Sequence, residues 1–378
     1  MTADLVRTNL GRAYRLVFHP QRLRRARNYL AWQRQVREDC RRDALRRDNQ
    51  SLLQRELREQ RTVLASHPTT LMLGPASVCN LRCPFCPTGA GYGDFPRTVL
   101  SPEQFSRIVG NLRADLIQRV ELYNWGEPLL NPHLADFIRF FSERKAETEV
   151  STNFSQRDYD ETYLATLVAS GLSTLIVSID GATQETYERY RIRGNLERVL
   201  GNMRRLVAVK REMRSETPAV VFKMLLNRHN QDEVEAAERL AQELGVAFLL
   251  NEKFWCPDKV REEWAAGDAS VPSPLQGYTI EPEAVISTYC RQLWESVIVT
   301  ATGDVHPCCL TYEPEHAIGN LADEDVMAIR NNERAVYLRR LVTRADVPAP
   351  EFENSCEHCS SRWCKVRGRP ALERTKRT

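Results

Sequence analysis

The chain has 378 residues, 42% hydrophobic and 27% charged, a globular composition with enough material for one large domain and a smaller one. No run reaches the roughly 18–20 apolar residues of a membrane span, and no apolar h-region follows the first charges, so neither a spanning protein nor a secretory signal is expected. Net charge is only +3, yet residues 1–66 carry sixteen arginines, no lysine and seven acids, a balance of +9 that leaves the rest of the chain at −6.

Residues 1–68 read as a basic helical extension. Val6, Leu10, Tyr14 and Phe18 step by four, Pro20 interrupts that pattern, and a second helical run continues to about Ala65. Such an arm suits peripheral contact with an anionic membrane or a polyanion. It equally suits a helix packed on protein, because Glu38, Asp39, Asp43, Glu56 and Glu59 can pair with its arginines.

After His67-Pro68 short β-rich runs alternate with helical ones. Residues 70–77 read as a strand. Ser101 starts a helix to about residue 115, with Pro102 at its first position and Glu103 in its first turn. Strands follow at 119–124, 148–153, 174–180, 219–227 and 246–251. Helices lie between them at His133–Lys145, Tyr159–Ser170, across 183–213 and at Asp232–Leu244. Six βα-type repeats over residues 69–255 predict an α/β fold with parallel strands, either a partial (β/α)6 TIM-like barrel or an open doubly wound sheet. In both, chemistry sits on the loops after the strands' C-terminal ends. Residues 256–288, rich in Pro, Gly, Ser and acids, read as a connector. Residues 289–370 read as a small domain held by metal rather than by a large core, and 371–378 as a basic tail.

Eleven cysteines in a chain of this kind point to metal ligation rather than to a disulfide framework. Cys79, Cys83 and Cys86 form CxxxCxxC directly after the first strand. Thiolates suit zinc or iron–sulfur clusters. A structural zinc site needs a fourth ligand, and none lies nearby in sequence. Three cysteines on a tight loop can instead hold three irons of a cubane and leave the fourth open to a chelating cofactor.

These motifs resemble the radical S-adenosylmethionine (SAM) superfamily over about residues 70–255. Phe85 matches the aromatic before the last cysteine, which the resemblance places near the adenine. "NWGEP" (124–128) matches the family's Gly-Gly-Glu-Pro segment with Trp125 in place of the first glycine. Gly126 and Glu127 are thereby expected at the methionine amino group. Ser151 and Asn153 in "STN" are expected at the ribose, and Ser178 and Arg193 at the cofactor's carboxylate, with Arg189 and Arg191 competing for that last role. A zwitterionic, hydroxylated, aromatic ligand needs these types of group. The resemblance implies a [4Fe-4S] cluster that binds SAM, a one-electron reductant such as flavodoxin or ferredoxin, and a 5′-deoxyadenosyl radical that abstracts hydrogen from a substrate.

Gly303-Asp304, between "VIVTA" and "VHPCC", reads as a hairpin turn that would bring Cys290 and Cys308 together at its base. With Cys356 and Cys359 they make four thiolates, resembling the SPASM and twitch domains that hold auxiliary clusters. One auxiliary [4Fe-4S] cluster is expected, with Cys309 and Cys364 spare; zinc is the other reading of four thiolates. Asp180, Asp304, His306 and Tyr312 are candidates for a catalytic base. The resemblance implies redox modification, dehydrogenation or epimerisation, of a small polar, sugar- or aminocyclitol-like molecule in the cytoplasm. The alternatives are a maturase of a ribosomally made peptide and, outside enzymes, a zinc protein binding membrane or nucleic acid. Nucleic acid is not the expected partner.

Overall fold

The computed structural model describes residues 20–91, 95–251, 261–265 and 291–343, together with Phe352 and Cys356, and the side chains from Gln33 onward. The expected pattern at 1–19, most of the 256–288 connector, Cys290, Cys359, Cys364 and the basic tail lie outside the described residues. The chain divides after Ser51 into two units. In the first, helix α1 begins at Pro20 and runs on to Arg58. Its arginines take local acidic partners, as in the 2.5 Å pair between Arg42 and Asp39. Among the described residues no helix is long and apolar enough to cross a membrane.

The second unit is built on one nine-stranded sheet. Its strands are β1 (Thr70–Leu73), β2 (Arg119–Glu121), β3 (Glu147–Thr152), β4 (Thr174–Ser178), β5 (Ala219–Leu225), β6 (Ala247–Asn251), β7 (Ser296–Val299), β8 (Asp304–His306) and β9 (Gly319–Asn320). The order is β6-β5-β4-β3-β2-β1-β7-β8-β9. Strands β1 to β6 are parallel neighbours in sequence order, as right-handed helical crossovers require. Three of the crossover helices begin at side-chain caps. Ser101 accepts from the Gln104 amide at 3.1 Å to start α3 (Pro102–Gly110), after the short α2 (Pro87–Ala90). Helix α4 is Leu134–Ser142. Asp160 caps α5 (Glu161–Ala169) through the Tyr163 amide. After α6 (Gln184–Tyr190), Asn195 caps α7 (Leu196–Glu212). Helix α8 (Val234–Leu244) precedes β6.

Alternate residues of the strands face these helices. Leu71, Leu73, Val120, Val150, Leu175, Val177 and Phe222 are buried in one core with Phe105, Phe137 and Leu206. The C-terminal segment joins that layer. β7 pairs in parallel with β1, Thr70 opposite Ser296 through Leu73 opposite Val299. β8 turns back on β7 with Ile298 opposite His306. Val297, Val299, Val305 and Leu321 therefore belong to the barrel's own core. The described part of the C-terminal segment thus extends the same sheet. The hairpin turn is where the sequence placed it. Gly303 adopts φ +93°, and a Cβ there would lie 2.6 Å from Asn320 Oδ1.

A second, smaller cluster ties the end of α1 to the C-terminal helices. Leu53, Leu57 and Leu64 pack on Trp294 of α10 (Gln292–Glu295), after the one-turn α9 (Arg261–Trp264). Arg330 of α11 (Val326–Asn331) and Arg339 of α12 (Glu333–Thr343) are buried there. Arg339 donates to the carbonyls of Thr62 at 2.7 Å and Leu293 at 3.2 Å, and also to that of Arg330. Glu56, 1% exposed, accepts from the Ala65 amide and the Ser66 hydroxyl at 2.6 and 2.5 Å.

Candidate functional site

Because β1 to β5 are parallel, the loops after them meet at one edge of the sheet. Cys79, Cys83 and Cys86 share one apolar cluster there with Leu81, Phe85, Tyr190, Trp264 and Leu225. Phe85, 8% exposed, meets Trp264 edge-on at 5.2 Å and Tyr190 at 6.2 Å. Burial pushes the Cys79 thiol up to about 12, with the Glu127 charge and the neighbouring cysteines adding to it. Burial raises Cys83 as well, against the nearby Arg191 cation. Thiols so placed keep their protons and are poor free nucleophiles, and binding a metal would release those protons.

The surroundings of the sulfurs fit a cluster. The Leu81 amide donates to Cys79 Sγ at 3.4 Å, Asn153 Nδ2 lies 3.7 Å from it, and Arg191 Nη1 lies 3.7 Å from Cys83 Sγ. Donors around thiolate sulfur and a low-polarity wall are the groups that tune an iron–sulfur centre. Among the described residues no three His, Cys, Asp or Glu side chains close on a single metal ion. A cluster that spreads its thiolates over separate irons does not require such a site.

The "NWGEP" residues tie the loops after β1, β2 and β3 together. Gly126 passes so close to the first loop that a Cβ would lie 2.0 Å from the Ala76 carbonyl oxygen, and the Glu127 amide donates to the Val78 carbonyl at 2.8 Å. The Glu127 side chain is 2% exposed. It accepts from Thr152 Oγ1 at 2.6 Å, from the Asn153 amide at 2.8 Å and from the Leu129 amide at 3.0 Å. Burial pushes its pKa up, and those three donors pull the other way. Both carboxylate oxygens are thus occupied inside the protein, so Glu127 braces the end of β3 against the loop after β2. Asn153 is also committed, donating to Asn80 Oδ1 at 3.0 Å and accepting from the Ser155 amide at 2.8 Å. Ser151, part-buried, and Ser178, 7% exposed, stand at the ends of β3 and β4.

Arg193 is exposed, in a turn at φ +72°. Arg191, part-buried, lies beside the cysteines, with Nε 2.5 Å from Asp180 Oδ2. Asp180, 1% exposed, also accepts from the Leu225 amide at 2.7 Å. These contacts make it the anchor of Arg191. Trp264 was not legible, because it lies in a stretch read as connector. Its carbonyl accepts from the Arg228 amide at 2.9 Å, beyond the end of β5.

Asp304, His306 and Tyr312 line one cleft with Asn124, Trp125 and Phe95, where the loops after β1 and β2 meet the β7–β8 hairpin. Of the second cysteine set only Cys308, Cys309 and Cys356 are among the described residues. Cys309 accepts from Gln292 Nε2 at 3.6 Å, so the start of α10, two residues after Cys290, reaches the base of the hairpin.

Residues 74–241 match the radical SAM superfamily, and residues 290–360 match SPASM, an iron-sulfur cluster-binding domain. The chain is 26% identical over 168 residues to an AdoMet-dependent heme synthase of Methanosarcina barkeri, covering 44% of this chain and 45% of that protein. It is 27% identical over 206 residues to a GTP 3′,8-cyclase of Synechocystis, covering 54% and 61%. The chain thus spans about half the length of the curated relatives it matches. Among solved structures it is similar to SuiB of Streptococcus suis bound to S-adenosylmethionine, with TM-score 0.57, 14% identity and coverage of 75% and 70%; SuiB has also been solved with precursor peptide SuiA. At that identity the likeness is one of fold.

Proposed function

This chain is a radical SAM superfamily protein with a C-terminal SPASM domain, and from that premise we propose that it cleaves SAM reductively and abstracts a hydrogen atom to effect a redox change on a small polar substrate. The observation that carries this reading is the convergence of Cys79, Cys83 and Cys86 with Phe85 and Arg191 at the strand ends. When bound there, a reduced [4Fe-4S] cluster and SAM supply a 5′-deoxyadenosyl radical. Cys79, Cys83 and Cys86 would hold the cluster and Phe85 would offer an apolar face to the cofactor. Trp264 and Tyr190 close the apolar wall behind it and keep water out. Ser151 and Ser178 would offer polar contacts to the ribose and carboxylate, and Arg191, held by Asp180, a cation on that side. Cys290, Cys308, Cys356 and Cys359 would ligate one auxiliary [4Fe-4S] cluster.

A peptide substrate is the second reading, favoured by the fold shared with SuiB, which was solved with its precursor peptide. Anaerobic reconstitution, iron and sulfide counting, and product analysis after adding reductant and SAM test the proposal. About eight irons per chain and release of 5′-deoxyadenosine are expected. Cys83→Ala should abolish the release and keep about four irons. Zinc in place of iron, or intact SAM with the loaded wild type, would refute it. A mass change or cross-link in a supplied peptide would decide for the second reading.

A further inference from the structure

Lys223 of β5 lies opposite Ser178 of β4 and Leu249 of β6. Val177 and Phe222, the preceding pair in the same register, are buried in the core that the helices cover, so Ser178 and Lys223 stand on the other face of the sheet. Leu225 is two residues further along that face, about 7 Å on. It packs against the cluster that contains Cys79, Cys83 and Cys86. Lys223 is therefore one side-chain step from the cysteine site.

Lys223 is part-buried and Ser178 is 7% exposed, yet among the described residues neither the Lys223 ammonium nor the Ser178 hydroxyl has a hydrogen-bond or ion-pair partner. The carboxylates on this side are engaged elsewhere. Arg119 lies 2.9 Å from Glu121 and 3.0 Å from Glu149, Tyr123 donates to Glu149 at 2.8 Å, and Asp180 holds Arg191. Burial, and then the Arg191 cation, push the Lys223 pKa down, while Asp180 and Glu149 pull the other way. A part-buried ammonium that pairs with nothing is costly. Three donors on a compact cation, with a hydroxyl beside them, are the complement of an anionic oxygen group. Leu249, 45% exposed, puts accessible apolar surface on the β6 side of the pair.

We propose that Lys223 and Ser178 form a carboxylate seat beside the cysteine site, Lys223 supplying the charge and Ser178 a hydrogen bond. A carboxylate of the substrate and the carboxylate of SAM both present this chemistry. The position favours the substrate, because Arg191 already stands at Cys83 and Lys223 lies a step away from the cysteines; the substrate is then an acid. The inference rests on the radical SAM reading in placing a substrate or SAM there, whereas the preference for a carboxylate does not depend on SAM cleavage.

Two matched pairs of probes test this by calorimetry on the anaerobically reconstituted full chain: N-acetylleucine against N-acetylleucinamide with SAM present, and SAM against decarboxylated SAM. In at least one pair the carboxylate form should bind at least tenfold more tightly, and Lys223→Met should bring that pair within twofold. The pair that responds identifies the source of the carboxylate. Ser178→Ala should weaken the same carboxylate form several-fold and spare its neutral counterpart. Lys223→Met keeps the length of the side chain and removes an unpaired charge, so its urea midpoint should not fall. A readout on the wild type needs no variant: the carboxylate form should slow reductive methylation of Lys223 at least fivefold relative to Lys145, which is exposed. Equal affinities within both pairs, no binding of any probe, or preferences that survive Lys223→Met with Lys223 methylated as fast with ligand as without, would overturn the proposal. Iron content and 5′-deoxyadenosine release, measured on the same preparation, separate a failure of this seat from a failure of the radical SAM reading.

Discussion

Replacing Glu127 by alanine separates a brace from a ligand contact. The carboxylate receives three hydrogen bonds, from Thr152 Oγ1 at 2.6 Å, the Asn153 amide at 2.8 Å and the Leu129 amide at 3.0 Å, and its side chain is 2% exposed. Bonds to a charged group contribute about 1.5–3 kcal/mol each. The Thr152 hydroxyl can turn to a new acceptor and water can enter the space, so the sum is not additive. A loss of about 3–5 kcal/mol is expected. Urea unfolding of the metal-free protein measures the total, and amide hydrogen exchange measures the local part. Exchange at Leu129 and Asn153 should quicken by about 100-fold, which corresponds to roughly 2.7 kcal/mol. A loss below about 1 kcal/mol, with both amides still protected and SAM affinity abolished, would refute the bracing role and restore the direct cofactor contact.

Gly126→Ala places a methyl 2.0 Å from the Ala76 carbonyl; the cysteine loop must move, and we expect iron loading to fall by more than half while far-UV circular dichroism is retained. Arg191→Gln leaves Asp180, 1% exposed, as an unpaired buried charge; a loss of about 3–5 kcal/mol in urea is expected, partly recovered by Asp180→Asn in the same chain. Arg339→Met removes donors to Thr62, Leu293 and Arg330; proteolysis between residues 59 and 66 should then increase several-fold in limited digestion. The Cys79 thiol, held up to about 12 in the metal-free fold, gives a pH dependence with a definite sign. Unfolded thiols ionise near pH 8.5 while the folded one keeps its proton, so metal-free stability is complete below that pH and declines as pH rises toward about 12. Urea midpoints across that window check this, and a midpoint that rises instead would contradict it.

Local chemistry made much of this molecule readable. Five of the six parallel strands fall within the runs of β-rich sequence and β3 starts one residue early, at Glu147; Ser101 caps the helix it was expected to cap, and Gly303 turns the hairpin. What escaped were features set by residues distant in the chain. The pairing of β1 with β7 joins segments about 225 residues apart, and neither strand's composition names its partner. Gly126 and Glu127 were legible as a motif, but not their contacts with the Ala76 carbonyl and the Thr152 hydroxyl, which come from other loops. Which of Arg189, Arg191 and Arg193 stands beside the cysteines depends on where α6 ends, at Tyr190. Boundaries of that kind are the least certain part of any periodicity argument. Trp125 stood out in sequence as a departure from a glycine pattern; only the fold puts its indole beside Tyr312.

The position of β1 inside the sheet bears on how this protein can be dissected. With β2 on one side and β7 on the other, β1 has no open edge. A fragment ending before residue 291 would strip β7 away and leave Leu71, Met72 and Leu73 on an unprotected strand, with the backbone donors of the Cys79 loop's own root facing water. Exposed apolar edge strands recruit copies of themselves. The sequence from 74 to 241 matches a family as a unit, but as a polypeptide it is half of an interlocked object, and expressing it alone should yield aggregate rather than a smaller enzyme.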